Sequence, residues 1–256
     1  APRLPATTVR EGAAAIYFPS CTNRIMGRSK KAGPGPSLPD ALLAVSERAG
    51  MPVWVPDDIA GSCCGVPWSS KGHREGHALM ARQTAEALWR WSDEGRLPVV
   101  SDASSCTLGL TTEATAALPE ELCERHEKLE ILDSVEWLER LLPSLALKRK
   151  LGRVALHPTC ATRHLGLAAR FSALAAEIAD EVAIPAASRC CGFAGDRGML
   201  HPELTASATA PAAAELRERG PFDAYLSTNR TCEIGMERAT GEPYGSIVFA
   251  VEELTR

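Results

Sequence analysis

Two short stretches carry side chains able to hold a metal: Gly61-Ser62-Cys63-Cys64-Gly65 and Arg189-Cys190-Cys191-Gly192. Neighbouring cysteines make a poor disulfide, because bridging them closes a small, strained ring. As thiolates on a loop wrapped around a metal centre they are well suited. Both pairs keep the same company. Cys21 stands 42 residues before Cys63 and Cys106 stands 42 after Cys64; Cys160 stands 30 before Cys190 and Cys232 stands 41 after Cys191. One cysteine, a Cys-Cys-Gly and one further cysteine are thus written twice, using eight of the nine cysteines. Cys123 has no counterpart and reads as a plain buried thiol.

Four thiolates brought from three loops complete a closed site for Zn²⁺ or for an iron–sulfur cluster. Structural zinc sites usually arrive as two knuckles of closely spaced ligands. Here the ligands spread from Cys21 to Cys106 and from Cys160 to Cys232, which suits a bulky cluster seated across a sheet edge better than one ion. Zinc stays open as an alternative. A four-thiolate cluster is negatively charged, and Arg24, Lys71, Arg163, Arg197 and Arg230 are the nearby cations available to offset it. His157 and His164 flank Cys160 as candidate ligands or proton donors, or as histidines satisfied by backbone hydrogen bonds. The basic stretch Arg24 to Lys31 is either a solvated loop or a docking site for an acidic partner.

The elements that must position these cysteines repeat as well. Pro19-Ser20-Cys21 and Pro158-Thr159-Cys160 each follow an apolar run. Val135-Glu136-Trp137-Leu138-Glu139-Arg140 answers Val251-Glu252-Glu253-Leu254-Thr255-Arg256. The chain is an internal duplication: a linker at 1–12, a first module at 13–146, a basic hinge at 147–152 and a second module at 153–256. Strands are expected at 13–18, 52–56, 98–101 and 129–132, then at 153–157, 181–185, 223–227 and 247–250. Helices are expected at 37–49, at 73–94 with Leu79, Met80, Ala87, Leu88 and Trp91 facing inward, at 134–142 and at 162–180. Helical pieces around 202–219 should break at Pro211. Trp89, Trp91 and Trp137 have the spacing of core or interface residues. The fold class is α/β, in two pseudo-symmetric halves, each a short parallel sheet flanked by helices. Every candidate ligand then follows the C-terminal end of a strand, where open α/β sheets place their sites.

Bulk composition narrows the function. Hydrophobic residues make up 45% and charged residues 23%, as in an ordinary globular protein. A net charge of −4 and a pI near 5.9 argue against nucleic acid as a partner. No apolar run reaches the length of a membrane span, and nine cysteines without a signal peptide point to metal in a cytoplasmic protein rather than to disulfides. The opening Ala1-Pro2-Arg3-Leu4-Pro5 reads as a linker in a piece of something larger.

Cys21…Cys63-Cys64-Gly65…Cys106 and its copy resemble the CCG cysteine-rich domain over nearly the whole chain. That family includes the B subunit of heterodisulfide reductase, the iron–sulfur subunit of glycolate oxidase and lactate-utilisation proteins. The stretches Phe18 to Gly27 and Cys190 to Gly198 are similar to the C-terminal part of fused FAD/iron–sulfur oxidases of the D-lactate dehydrogenase type. The resemblance implies an iron–sulfur cluster, [4Fe-4S], one per module, held by Cys21, Cys63, Cys64 and Cys106 and by Cys160, Cys190, Cys191 and Cys232. Zinc in one module is the alternative. It further implies an FAD-containing dehydrogenase domain or subunit and a ferredoxin-like domain as partners. A quinone or cytochrome would be the acceptor, with the chain cytoplasmic or peripheral to the inner face of the membrane. By itself such a module should not oxidise substrate. A cluster-based disulfide reductase and a structural zinc scaffold are the competing readings. The family's last element is often C-x-x-C, whereas here its final position is Gly109 in one copy and Gly235 in the other. Four ligands suit a cubane or a zinc ion.

Overall fold

The apolar runs leading into the first and third cysteine segments of each set form strands largely buried on both faces, as in a parallel sheet covered by helices. A computed structural model describes Leu4 and residues 9–256, so most of the expected 1–12 linker lies outside the described residues. In the first half β1 (Ala15–Phe18), β2 (Val53–Trp54), β3 (Val99–Ser101) and β4 (Ile131–Asp133) form a parallel sheet of order β2-β1-β3-β4. In the second, β5 (Leu151–Leu156), β6 (Ala179–Ala183), β7 (Ala224–Ser227) and β8 (Tyr244–Ser246) repeat it as β6-β5-β7-β8. The registers correspond too: Tyr17 pairs with Val100 as Leu156 pairs with Leu226.

Helices of the first half are α1 (Cys21–Met26), α2 (Leu38–Arg48), α3 (Val66–Ser69), α4 (Arg74–Trp91), α5 (Ser104–Leu108), α6 (Glu120–His126) and α7 (Ser134–Leu141). Those of the second are α8 (Cys160–His164), α9 (Ala168–Ile178), α10 (Arg197–Leu200), α11 (Pro202–Arg219), α12 (Arg230–Thr240) and α13 (Ile247–Thr255). The halves meet by exchange of equivalent helices, α2 on α13 and α7 on α9, α1 on α12 and α5 on α8. That exchange is what a pseudo-two-fold axis produces. One continuous core, with Leu42, Trp137, Phe171 and Val251 among its members, runs through the contact. An arginine pins each outer pair: Arg48 donates to Thr255 Oγ1 at 2.6 Å and pairs with Glu252, while Arg170 pairs with Glu136 and Glu139.

Some local expectations fail for identifiable reasons. Ile247 to Ala250 is the start of α13 rather than a strand; Ser246 caps it by accepting from Val248 N, and the last strand is β8. A short apolar run fits a buried helix as well as a strand, and the cap decides. Pro211 does not interrupt α11, because it lies on the exposed face while Thr209, Ala212, Ala213 and Leu216 anchor the buried one. The helix expected at 162–180 is two, α8 and α9, separated at Gly166, whose φ is +72°. Leu79 is 56% exposed, and α4 instead buries Ala81, Thr84, Ala85, Leu88 and Trp91. The first turns of α4 lie over the Cys-Cys-Gly loop, with Gly76 against Trp68 and His77 against Gly65, which leaves the Leu79 side to solvent. Trp91 and Trp137 are core residues as expected, and Trp89 is half-buried.

Candidate metal centre

Each half places its four cysteines beyond the C-terminal ends of three parallel strands. After β1, Ser20 Oγ accepts from Asn23 N at 3.3 Å and caps α1, whose first residue is Cys21. After β5, Thr159 Oγ1 accepts from Thr162 N at 3.0 Å and caps α8, whose first residue is Cys160. The loop after β2 carries Cys63 and Cys64, and its backbone is tied to α4 by Thr84 Oγ1 donating to Cys63 O at 2.9 Å. The glycine of each Cys-Cys-Gly has a steric reason. Gly65 and Gly192 have φ of +85° and +68°, and a Cβ on Gly192 would come within 2.8 Å of Leu204 O. Cys106 and Cys232 sit in the first turns of α5 and α12.

Within each half the four thiols follow one another as neighbours, Cys21–Cys63–Cys64–Cys106 and Cys160–Cys190–Cys191–Cys232. In the first, contact with Cys64 and then burial push the Cys63 thiol up, contact with Cys106 pushes Cys64 up, and burial followed by Cys63 does the same to Cys21. In the second, Cys191 Sγ lies 2.9 Å from Cys232 Sγ. There Cys160 and Cys191 are pushed up, first by contact with Cys190, while Cys190 and Cys232 are held down by Cys160 and Cys191 respectively. Such a set cannot ionise fully without a polycation between the sulfurs, so the donors fit a metal or a metal cluster. Cys64, Cys106, Cys191 and Cys232 are buried, Cys21 and Cys63 intermediate, and Cys160 and Cys190 exposed. Cys123 joins neither set; half-buried, its Sγ donates to Thr115 O at 3.3 Å.

The residues around the thiols are less symmetric. His157 is buried at 2% exposure, and a ring nitrogen lies within 4.8 Å of the sulfurs of Cys191 and Cys232. Phe18 stands at the corresponding place in the first half, three residues before Cys21. His164 is exposed. Three of the five expected cations have other partners: Lys71 pairs with Asp196 at 2.7 Å, clasping the two loop regions together, and Arg163 donates to Ser188 O. Arg230 is buried on Glu233 at 3.2 Å. Burial pushes the Glu233 carboxyl up to about 7 in spite of that partner. The basic stretch is largely structural, since Arg28 stacks 4.9 Å over Phe249 and Lys31 donates to Gly241 O at 2.7 Å, both on the second half.

Two features escape motif reasoning. Asp102, fully buried, accepts from Tyr17 OH at 2.6 Å and from Ser20 N at 2.8 Å, and so fixes the turn that presents Cys21. Burial pushes its carboxyl up, and those hydrogen bonds oppose the shift. The second is a bridge between the centres. Ser105, beside Cys106, donates to Asn229 Oδ1 at 2.8 Å, and Asn229 Nδ2 donates to Cys232 Sγ at 3.7 Å. Hydroxyls continue it across the interface, with Thr162 Oγ1 2.7 Å from Thr228 Oγ1 and 3.2 Å from Ser104 Oγ. A cavity of about 510 Å³ between Arg28, Tyr225, Tyr244 and Phe249 has no cysteine in its wall.

Fold and site together define a duplicated α/β protein with a set of four cysteines at the C-terminal edge of each sheet. A family model described as the CCG cysteine-rich domain matches residues 15–111 and again 154–237, and the chain belongs to that family. The C subunit of the anaerobic glycerol-3-phosphate dehydrogenase of Escherichia coli K12, and the like-named protein of strain O157:H7, are each 26% identical over 183 residues. The match takes in 70% of this chain and 46% of the relative, so the chain spans about half the length of these relatives. A mutant arylmalonate decarboxylase in its sulfate-associated form aligns over 94% of this chain and 92% of its own at 18% identity; its TM-score of 0.28 supports no argument. No helix among the described residues is long and apolar enough to cross a membrane.

Proposed function

We propose that this chain is the iron–sulfur electron-transfer module of an FAD-linked dehydrogenase, relaying electrons from a flavin partner, through a ferredoxin-like domain, to a quinone, cytochrome or other acceptor. The observation that carries this reading is the grouping, twice over, of four cysteines beyond the C-terminal ends of three parallel strands, each thiol interacting with a neighbour in its own set. Cys21, Cys63, Cys64 and Cys106 would hold one [4Fe-4S] cluster, and Cys160, Cys190, Cys191 and Cys232 the other. When bound, such a group supplies reversible storage of one electron without bond-making to substrate. The chain's own residues do the rest. Burial of Cys64, Cys106, Cys191 and Cys232 keeps water from the inner sulfurs, and the Ser105–Asn229 bridge holds the two centres at a fixed relation.

The relatives' name attaches a subunit of this family to a glycerol-3-phosphate dehydrogenase. The stretches Phe18 to Gly27 and Cys190 to Gly198 favour a D-2-hydroxy acid of the lactate or glycolate type as the partner's substrate. The substrate therefore belongs to the partner protein and not to this module. Exposed apolar side chains on the helices that follow each Cys-Cys-Gly, Trp68, Leu79, Met199, Leu200 and Leu204, support docking of that partner beside the centres. The test is anaerobic reconstitution followed by iron and sulfide assay and EPR of the reduced protein. Reducible iron–sulfur signals are expected. Stoichiometric zinc with no iron would replace the relay by a structural scaffold.

Exposure of Cys160 and Cys190 favours one second reading, direct reduction of a disulfide substrate at the second centre. That activity requires disulfide substrates to perturb the spectrum of the reduced second centre. An unchanged spectrum removes it.

A further inference from the structure

His157 is the first residue beyond β5, and its backbone is fixed from both sides by the neighbouring strand. Its N–H donates to Leu226 O at 2.9 Å and its carbonyl accepts from Ser227 Oγ at 2.9 Å. The ring is therefore delivered to one place. Ser188 Oγ lies 3.4 Å from Nδ1, and Nε2 is buried with no hydrogen-bond partner. A buried polar nitrogen is costly to leave unpaired, so a residue set this deep asks for a partner. The donors beside the ring are the two most protected sulfurs of the second set, Cys191 and Cys232, and one ring nitrogen of His157 and the two sulfurs lie within 4.8 Å of one another. Cys160 and Cys190 form the outer, exposed side of the same set. In the first half the corresponding side chain is Phe18, buried and without a lone pair.

We propose that Nε2 of His157 is a direct ligand of the second centre in place of one of its two exposed thiols, Cys160 or Cys190, which makes that centre a mixed thiolate–imidazole site while the first is all thiolate. This rests on the reading of the cysteine sets as metal centres. Ser188 fits the role of the outer partner that metal-bound histidines ordinarily have on their second nitrogen, fixing tautomer and ring orientation. A neutral imidazole brings no negative charge to the metal, and exchange of thiolate for imidazole raises the potential of an iron–sulfur centre. The second centre is then the more oxidising of the two, and electrons arriving at the first half run downhill to the second.

The experiment uses the full chain, reconstituted anaerobically with iron and sulfide and reduced, with pulsed EPR to read nitrogen coupling. Preparations carrying natural and ¹⁵N-labelled histidine are compared with His157→Phe, which installs the residue of the first half. Directly bound nitrogen is expected in the wild type, changed by the label and lost in the variant, with the midpoint potential of one centre shifted downward and the other unmoved. His157→Asn serves the same comparison if the phenylalanine variant fails to fold. A loaded protein without histidine coupling, or one whose coupling survives replacement of His157, overturns the inference and leaves the electron-transfer reading standing. If the chain takes zinc alone, the electron-transfer reading falls and the cobalt(II)-substituted protein decides the ligand. Its visible spectrum must then change between wild type and His157→Phe, and an unchanged spectrum overturns the inference. Uptake of no metal at all overturns both.

Discussion

Asp102 touches no thiol, yet it positions one. Its carboxylate takes the Tyr17 hydroxyl and the Ser20 amide in a fully buried setting, and Ser20 in turn caps the helix that begins at Cys21. Asp102→Ala strands both donors, which should cost about 3 kcal/mol in urea unfolding and lower metal retention in the first half; Asp102→Asn keeps an acceptor and should cost less. The glycines that replace the family's last cysteine make a second case. A Cβ on Gly109 would lie 2.4 Å from Val66 Cγ2, and one on Gly235 would lie 3.0 Å from Thr205 Cγ2. A Cβ at either position would also come within 3.6 Å of the pair cysteine, Cys64 or Cys191, so a fifth cysteine there is crowded. Gly109→Cys should destabilise by about 1–3 kcal/mol through overpacking, and Gly235→Cys by less, as thermal melts of the two variants would show. At this scale the eight cysteines were readable from type and spacing, because duplication repeats what chance does not. Asp102, Ser105 and Asn229 were not, since each acts through a partner at least 80 residues away in the chain.

Among the elements, α7 shows how a buried cap makes stability depend on pH. Asp133 caps it in a reciprocal arrangement with Glu136, and burial pushes the Asp133 carboxyl up to about 6. The folded state therefore binds this proton more tightly than the unfolded chain. The contribution is fully present below the unfolded value near 4 and is lost as pH rises through 6. Between pH 5 and 7 the loss should be on the order of 1 kcal/mol. Asp133→Asn keeps a good capping residue and removes the titration, so its urea midpoint should vary less between those two pH values than the wild type's. Trp137, on the same helix, donates from Nε1 to Ser46 Oγ on α2 at 2.9 Å. The parallel sheets and their alternation with helices were legible because continuous apolar runs alternated with helical periodicity, whereas the order β2-β1-β3-β4 within each sheet comes from the structure alone. The Ile247 to Ala250 segment is settled by a local signal, the Ser246 cap, whereas the intact helix around Pro211 is settled by packing on α12, which local pattern does not contain.

At the scale of the whole molecule, the two halves share one continuous core and carry two cysteine sets with unlike surroundings. Exchange of equivalent helices across the pseudo-axis brings the Cys106 segment against the Cys232 segment, and Asn229 spans the gap. An N–H donor on a metal-bound sulfur raises the potential of the centre it serves. Asn229→Leu should therefore lower the midpoint potential of the second centre in a redox titration while leaving the first unchanged. Duplication in the sequence foretold two similar halves, and a pseudo-two-fold axis between them implied cysteine sets that face each other across the contact. The account depends most on the two sets being separate. The direct test is iron and sulfide content of the folded, anaerobically purified protein carrying Cys64→Ser or Cys191→Ser. Each substitution is predicted to remove one centre's share of metal and leave the other half loaded; either one emptying both halves while the protein stays folded would contradict two independent centres.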